Sequence, residues 1–111
     1  MKYLRNIEPF KPIKINEMIH HSGSKIASKA LVDNDKHEIR FFSFAKDESI
    51  DKEYYEMESL FIIIEGKVKV VYNEDDESII SDGNIFALEA DIQYGIEALT
   101  DAKLLNILIK E

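Results

Sequence analysis

The stretch that decides the fold is Ile50–Ala98, IDKEYYEMESLFIIIEGKVKVVYNEDDESIISDGNIFALEADIQYGIEA. At its centre, Leu60–Glu65 and Lys67–Tyr72 are runs rich in β-branched and aromatic residues, separated by Gly66 alone. In the second run Val68, Val70 and Tyr72 share one face and Lys67 and Lys69 the other. A period of two with one apolar face marks a half-buried strand. Glu77–Ile80, Ile85–Glu89 and Ile92–Ala98 follow, with an Asp82-Gly83 turn after the first of them. Gly66 and Gly83 stand where a tight turn asks for a positive φ, which glycine adopts without steric cost.

The same texture continues on both sides. Upstream lie Ile50–Tyr55, His37–Ala45 and a strand that places Ile26, Ser28, Ala30 and Val32 on one face, closed by an Asp33-Asn34-Asp35 turn. Downstream, Lys103–Lys110 puts Leu105, Ile107 and Ile109 together. Pro9 and Pro12 exclude a helix interior near the start, so Met1 to Gly23 reads as an extended arm, in which Asn16 caps one short helical turn through Ile19. Residues 24–111 then form a single barrel domain. No segment of helical period is long enough for a bundle, and many short strands without intervening helices predict an all-β, antiparallel barrel or sandwich.

Composition narrows the function. A chain of 111 residues builds one core. Cysteine is absent, which removes disulfides, thiolate metal sites and cysteine nucleophiles. Fourteen basic against twenty-two acidic residues give a net charge of −8, which disfavours nucleic acid and anionic membrane surfaces. The acids come in short groups such as Glu74-Asp75-Asp76-Glu77, read as solvated turns. The first residues hold no apolar signal-peptide core, and the longest apolar run, LFIII, is far below membrane-spanning length. A cytoplasmic protein is the expectation.

Four runs carry a family resemblance: Glu65–Val70 (EGKVKV), Ser81–Ala90 (SDGNIFALEA), Ile92-Gln93-Tyr94 and Ala98–Leu105 (ALTDAKLL). Together they resemble the small single-domain cupins of the conserved-barrel type, and Ser28–Val32 and Phe42–Ile50 are similar to one bacterial branch of that group. The resemblance spans Lys25 to Lys110, about four fifths of the chain. It implies an antiparallel double-stranded β-helix, the RmlC-like jelly-roll barrel, preceded here by the extended arm, and commonly a homodimer.

It also implies a pocket. Cupin metal sites use two histidines two residues apart, a carboxylate just before the strand that ends at the glycine of the first motif, and a third histidine in the second motif. Carried onto this chain, those slots fall on Glu53, Tyr55, Ser59 (Glu58 with a one-residue loop shift) and Tyr94, while Glu89 stands where a proline is usual. An open first-row metal site wants imidazole or thiolate ligands, and magnesium or calcium wants several convergent carboxylates. No cofactor is expected, and a metal is disfavoured. His20 and His21 are expected to point apart in an extended segment and His37 to lie away from the pocket, all as surface or capping residues.

Glu53 and Tyr55, two apart on a strand, face the same side, and Tyr94 would approach from the opposing strand. Three readings follow. The first is a metal-independent module binding a small polar or sugar-like ligand at the barrel mouth through Glu53, Tyr55, Ser59 and Tyr94. The second is an isomerase- or lyase-type enzyme, with Glu53 as candidate acid or base among the phenols. The third is a plugged barrel serving structure or interaction, with the apolar Tyr3, Leu4, Ile7, Phe10, Ile13 and Ile15 of the arm crossing onto a partner copy.

Overall fold

The computed structural model describes residues 1–23 and 25–111, so the expected domain boundary at Ser24 lies outside the described residues. Among the described residues nine strands follow one 3-10 turn, Ile15–Glu17. They are β1 (Ile26–Asp33), β2 (His37–Phe44), β3 (Ser49–Tyr55), β4 (Glu58–Glu65), β5 (Lys67–Tyr72), β6 (Asp76–Ser81), β7 (Ile85–Leu88), β8 (Ile92–Ala98) and β9 (Ala102–Ile109). All pairings are antiparallel, in a five-stranded sheet of order β1-β2-β9-β4-β7 and a four-stranded sheet of order β3-β8-β5-β6. The two sheets face each other as a jelly-roll barrel. No helix of the described residues is long and apolar enough to cross a membrane.

Alternation along each strand makes the core. Phe44, Phe61, Ile63 and Leu104 from the larger sheet meet Val68, Val70, Ile96 and Ala98 from the smaller one, all buried. Each large side chain removed from water there contributes roughly 1.5–3 kcal/mol before conformational entropy is charged against it. β9 is apolar on both faces: Leu104 and Leu108 are buried inward, while Leu105 and Ile107 are half-buried on the outer face and Ile109 is exposed.

Three local expectations shift. The turn near Asn16 is two residues earlier, capped at Lys14 with no side-chain bond and closed by Glu17 N–H donating to Lys14 O (3.0 Å). In β1 the register slips between Ala30 and Val32, so Val32 pairs with Ile39 on the outer face and does not continue the line of Ile26, Ser28 and Ala30. β4 begins at Glu58, two residues before the predicted start, which brings Ser59 into the ladder opposite Leu88 and Leu108.

Gly66 has φ +88°, and a Cβ there would meet Asp101 O at 2.2 Å and the Ala102 backbone at 2.8 Å. Both the left-handed conformation and the close strand crossing exclude a side chain. Gly66→Ala is expected to destabilise the fold by about 2–4 kcal/mol, read as a lower urea midpoint at unchanged slope. A change within about 0.5 kcal/mol would contradict the geometry.

Candidate functional site at the barrel mouth

One end of the barrel gathers polar side chains on the inner faces of both sheets. In β3 the pairing with β8 slips between Ile50, opposite Ile96, and Glu53, opposite Tyr94. This irregularity keeps Glu53 and Tyr55 on the same inner face as Ile50, three residues before Glu53, where strict alternation would have put Lys52 and Tyr54. Gly95 makes the close approach there, since a Cβ on it would lie 2.7 Å from Ile50 O.

Tyr55 and Tyr94 stack, ring centroids 4.1 Å apart at 20°, and Phe61 meets Tyr94 edge-on at 5.5 Å. Ser59 Oγ and the Tyr94 hydroxyl share a buried hydrogen bond of 2.8 Å. The structure therefore brings Tyr55, Ser59 and Tyr94 together, with Glu53 paired beside Tyr94. Glu58 is exposed on the other side of β4. Tyr94 is 3% exposed and belongs to the core, so the stacked rings form the floor of the mouth and the barrel below them is packed.

Sequence reasoning missed three residues that share this end. Glu38 and Arg40 of β2 stand opposite Leu108 and Asn106 of β9, and Asn106 stands opposite the core residue Phe61. Arg40 Nε and Nη2 donate to Glu38 Oε1 at 3.3 and 3.2 Å, and Nη1 reaches Ser28 Oγ at 3.4 Å. The ion pair is only 28% exposed on each side. The one available signal was parity: Glu38 and Arg40 alternate in step with Phe42 and Phe44. It is masked because Ile39 and Phe41 make the other face equally apolar.

Electrostatics follow from this packing. Burial, with the Tyr55 phenol beside it, pushes Tyr94 up to about 12, against the hydrogen bond from Ser59 that pulls it down. Burial also raises Tyr55, helped by the carboxylates of Glu53 and Glu38. Both phenols stay protonated through neutral pH, so they offer hydrogen-bond donors and flat apolar faces, and proton acceptance falls to the carboxylates.

The residues of the mouth do not fit the metal the fold family implies. The donors are carboxylates, phenols and a hydroxyl, and the Tyr94 hydroxyl is already committed to Ser59. Among the described residues no group of three or more His, Cys, Asp and Glu side chains is placed to hold an ion. His37 begins β2 at the surface. His20 is exposed, as expected, but it does not point away from His21: both line one cavity, on the outer face of the larger sheet.

No protein-family model matches the chain, and no curated protein matches it in sequence. Solved structures do match. A cupin superfamily protein from Desulfitobacterium hafniense aligns with TM-score 0.90 at 24% identity, over 97% of this chain and 98% of that one. A conserved protein from Streptococcus pyogenes aligns with TM-score 0.94 at 20% identity, over 100% of this chain and 96% of that one. A cupin 2 conserved barrel domain protein from Leptotrichia buccalis is 28% identical with TM-score 0.85, over 94% of this chain and 50% of that one. The chain has the cupin fold.

Raising a phenol's pKa in the folded state stabilises the fold below the ordinary value near 10, and that contribution is lost as pH rises toward the folded value. The wild-type protein is therefore expected to lose stability between pH 10 and about 12 through Tyr94. Tyr94→Phe should flatten that part of the profile in urea denaturation, after a loss at neutral pH of about 1 kcal/mol for the Ser59 bond. Equal alkaline slopes in the two proteins would refute the burial argument.

Proposed function

We propose that this protein binds a small polar or sugar-like molecule at the barrel mouth, without a metal, in the cytoplasm. The observation that carries the reading is the Tyr55–Tyr94 stack flanked by Glu53, Ser59 and the half-buried Arg40–Glu38 pair. Aromatic area with polar tips suits a ligand that is flat on one side and hydroxylated at its rim. Arg40 offers fixed donors, and Glu38 and Glu53 offer acceptors, so the mouth presents both halves of a hydroxyl's hydrogen bonding. A panel of monosaccharides, sugar acids and small polar metabolites in a thermal-shift assay is expected to yield a stabilising ligand. Tyr55→Ala and Arg40→Met should weaken it about tenfold each. A panel with no stabilisation, or affinity indifferent to both substitutions, would sink the reading.

Glu53, on the same face of β3 as Tyr55 and paired with Tyr94, supports a second reading, a proton-transferring isomerase or lyase in which Glu53 shuttles the proton. Turnover of any ligand found by the panel, abolished by Glu53→Gln, is its expected sign; turnover that survives Glu53→Gln excludes it.

Exposed apolar side chains point to a partner. Tyr3, Leu4, Phe10 and Ile13 are exposed, although the backbone around them is tied to its own β1, with Arg5 N–H donating to Leu31 O and Asn6 Nδ2 to Ala30 O. With Ile85 and Ile109 of the outer sheet face, they make a surface suited to a second copy of the chain. Light scattering should give a dimer that weakens when Tyr3, Leu4 and Phe10 are replaced by serine; a monomer at micromolar concentration would exclude it.

A further inference from the structure

A cavity of about 290 Å³ lies on the side of the larger sheet away from the barrel interior, where the segment carrying His20 and His21 crosses β2 and β9. Its lining is almost wholly polar: His20, His21, Ser43, Glu65, Asp101 and Lys103, with Ala102. Lys103 is the unusual member, with its side chain only 8% exposed. Its ammonium donates to Asn16 O and, at 2.9 Å, to His20 Nδ1, both uncharged acceptors. The nearest carboxylate oxygen, Glu65 Oε1, is 3.9 Å away, beyond hydrogen-bonding distance. Lys103 thus has a counter-charge in Glu65 but no hydrogen bond to a carboxylate, and a carboxylate brought against the buried ammonium would supply one.

The histidines are set by their partners. Because His20 Nδ1 accepts from Lys103, its proton sits on Nε2, a second donor beside the ammonium. Ser43 Oγ accepts the His21 backbone N–H at 3.1 Å and contacts His21 Nδ1 at 3.1 Å, and His21 Nε2 lies 3.7 Å from Asp101 Oδ2. Asp101 Oδ1 accepts the Lys46 N–H at 2.9 Å, which fixes that carboxylate at the rim. Glu65 is 44% exposed. The cavity thus has a positive, donor-rich floor and a negative rim. A simple anion meets two carboxylates, and a simple cation meets a buried ammonium. A molecule with both charges satisfies both, and the volume, at the small end of ligand sites, limits it to a few heavy atoms.

We propose that this cavity is a second ligand site, for a small zwitterion of the free amino-acid class, with the ligand carboxylate on Lys103 and His20 and its ammonium on Glu65 and Asp101. The site is separate from the barrel mouth and does not depend on the reading given for it. Binding ties the N-terminal segment to β9, so it also orders residues 16–21.

Calorimetric titration of the full chain with the individual common amino acids tests this, with acetate and methylamine as controls that carry one charge each. At least one amino acid is expected to bind one to one while both controls fail. Glu65→Gln, which keeps the side chain's size and removes its charge, and His20→Ala should each weaken it about tenfold, whereas Glu53→Gln leaves it unchanged. Amide exchange at residues 16–21 should slow on binding. No binding by any amino acid at millimolar concentration, acetate binding as well as the amino acid, or an affinity indifferent to both Glu65→Gln and His20→Ala would overturn the proposal. Loss of binding in Glu53→Gln would place the ligand in the barrel and overturn it as well.

Discussion

The register of β9 between β2 and β4 is the constraint on which the rest of the molecule hangs. The strand is paired along both edges, and its side chains alternate between two environments that have little in common. Inward, Ala102, Leu104 and Leu108 are core and Asn106 stands below the mouth; outward, Lys103 meets the N-terminal segment while Leu105 and Ile107 cover the sheet. A slip by one residue would drive Lys103 into the hydrophobic interior and expose Leu104. The cost of burying that charge among Phe44, Phe61 and Ile63 fixes the register more firmly than backbone hydrogen bonds, which any register satisfies.

Polar groups at the two ends of this strand are held differently. At the mouth they are held by aromatic packing: Tyr94 is locked by Tyr55 on its face, Phe61 at its edge and Ser59 on its hydroxyl. On the outer face they are held by a segment with hardly any regular structure of its own, through bonds to Ser43, Lys29 and Lys103. The first arrangement is rigid because its neighbours are core. The second is adjustable, because a short turn and a few side-chain contacts are all that fasten it.

Much of the fold was legible in the sequence because strands here declare themselves locally. Val68, Val70 and Tyr72 alternate with lysines, and Gly66 and Gly83 mark turns whose φ angles are indeed positive. The family's spacing also places Tyr55, Ser59 and Tyr94 near one another, and these three side chains do meet. Legibility failed where local rules are silent: the slip in β1 that turns Val32 outward, the two extra residues at the start of β4, and the inner-face pair Glu38 and Arg40 on a strand apolar on both sides. The convergence of His20, His21 and Lys103 was invisible for a different reason. It joins residues more than eighty positions apart through a segment whose path no periodicity encodes.

The irregular pairing of β3 sets more than the strand's shape. Lys52, Glu53, Tyr54 and Tyr55 form two acid-or-base-plus-phenol pairs in alternation, and the offset after Ile50 selects the acidic one for the face toward the mouth, where Glu53 stays exposed. Regular pairing from Ile50 would present Lys52 and Tyr54 instead, turning an acceptor at the mouth into a cation with the phenol retained. The sign of charge presented at the mouth is thus written in backbone length, and a barrel of this kind can reverse that sign by gaining or losing an offset in one edge strand.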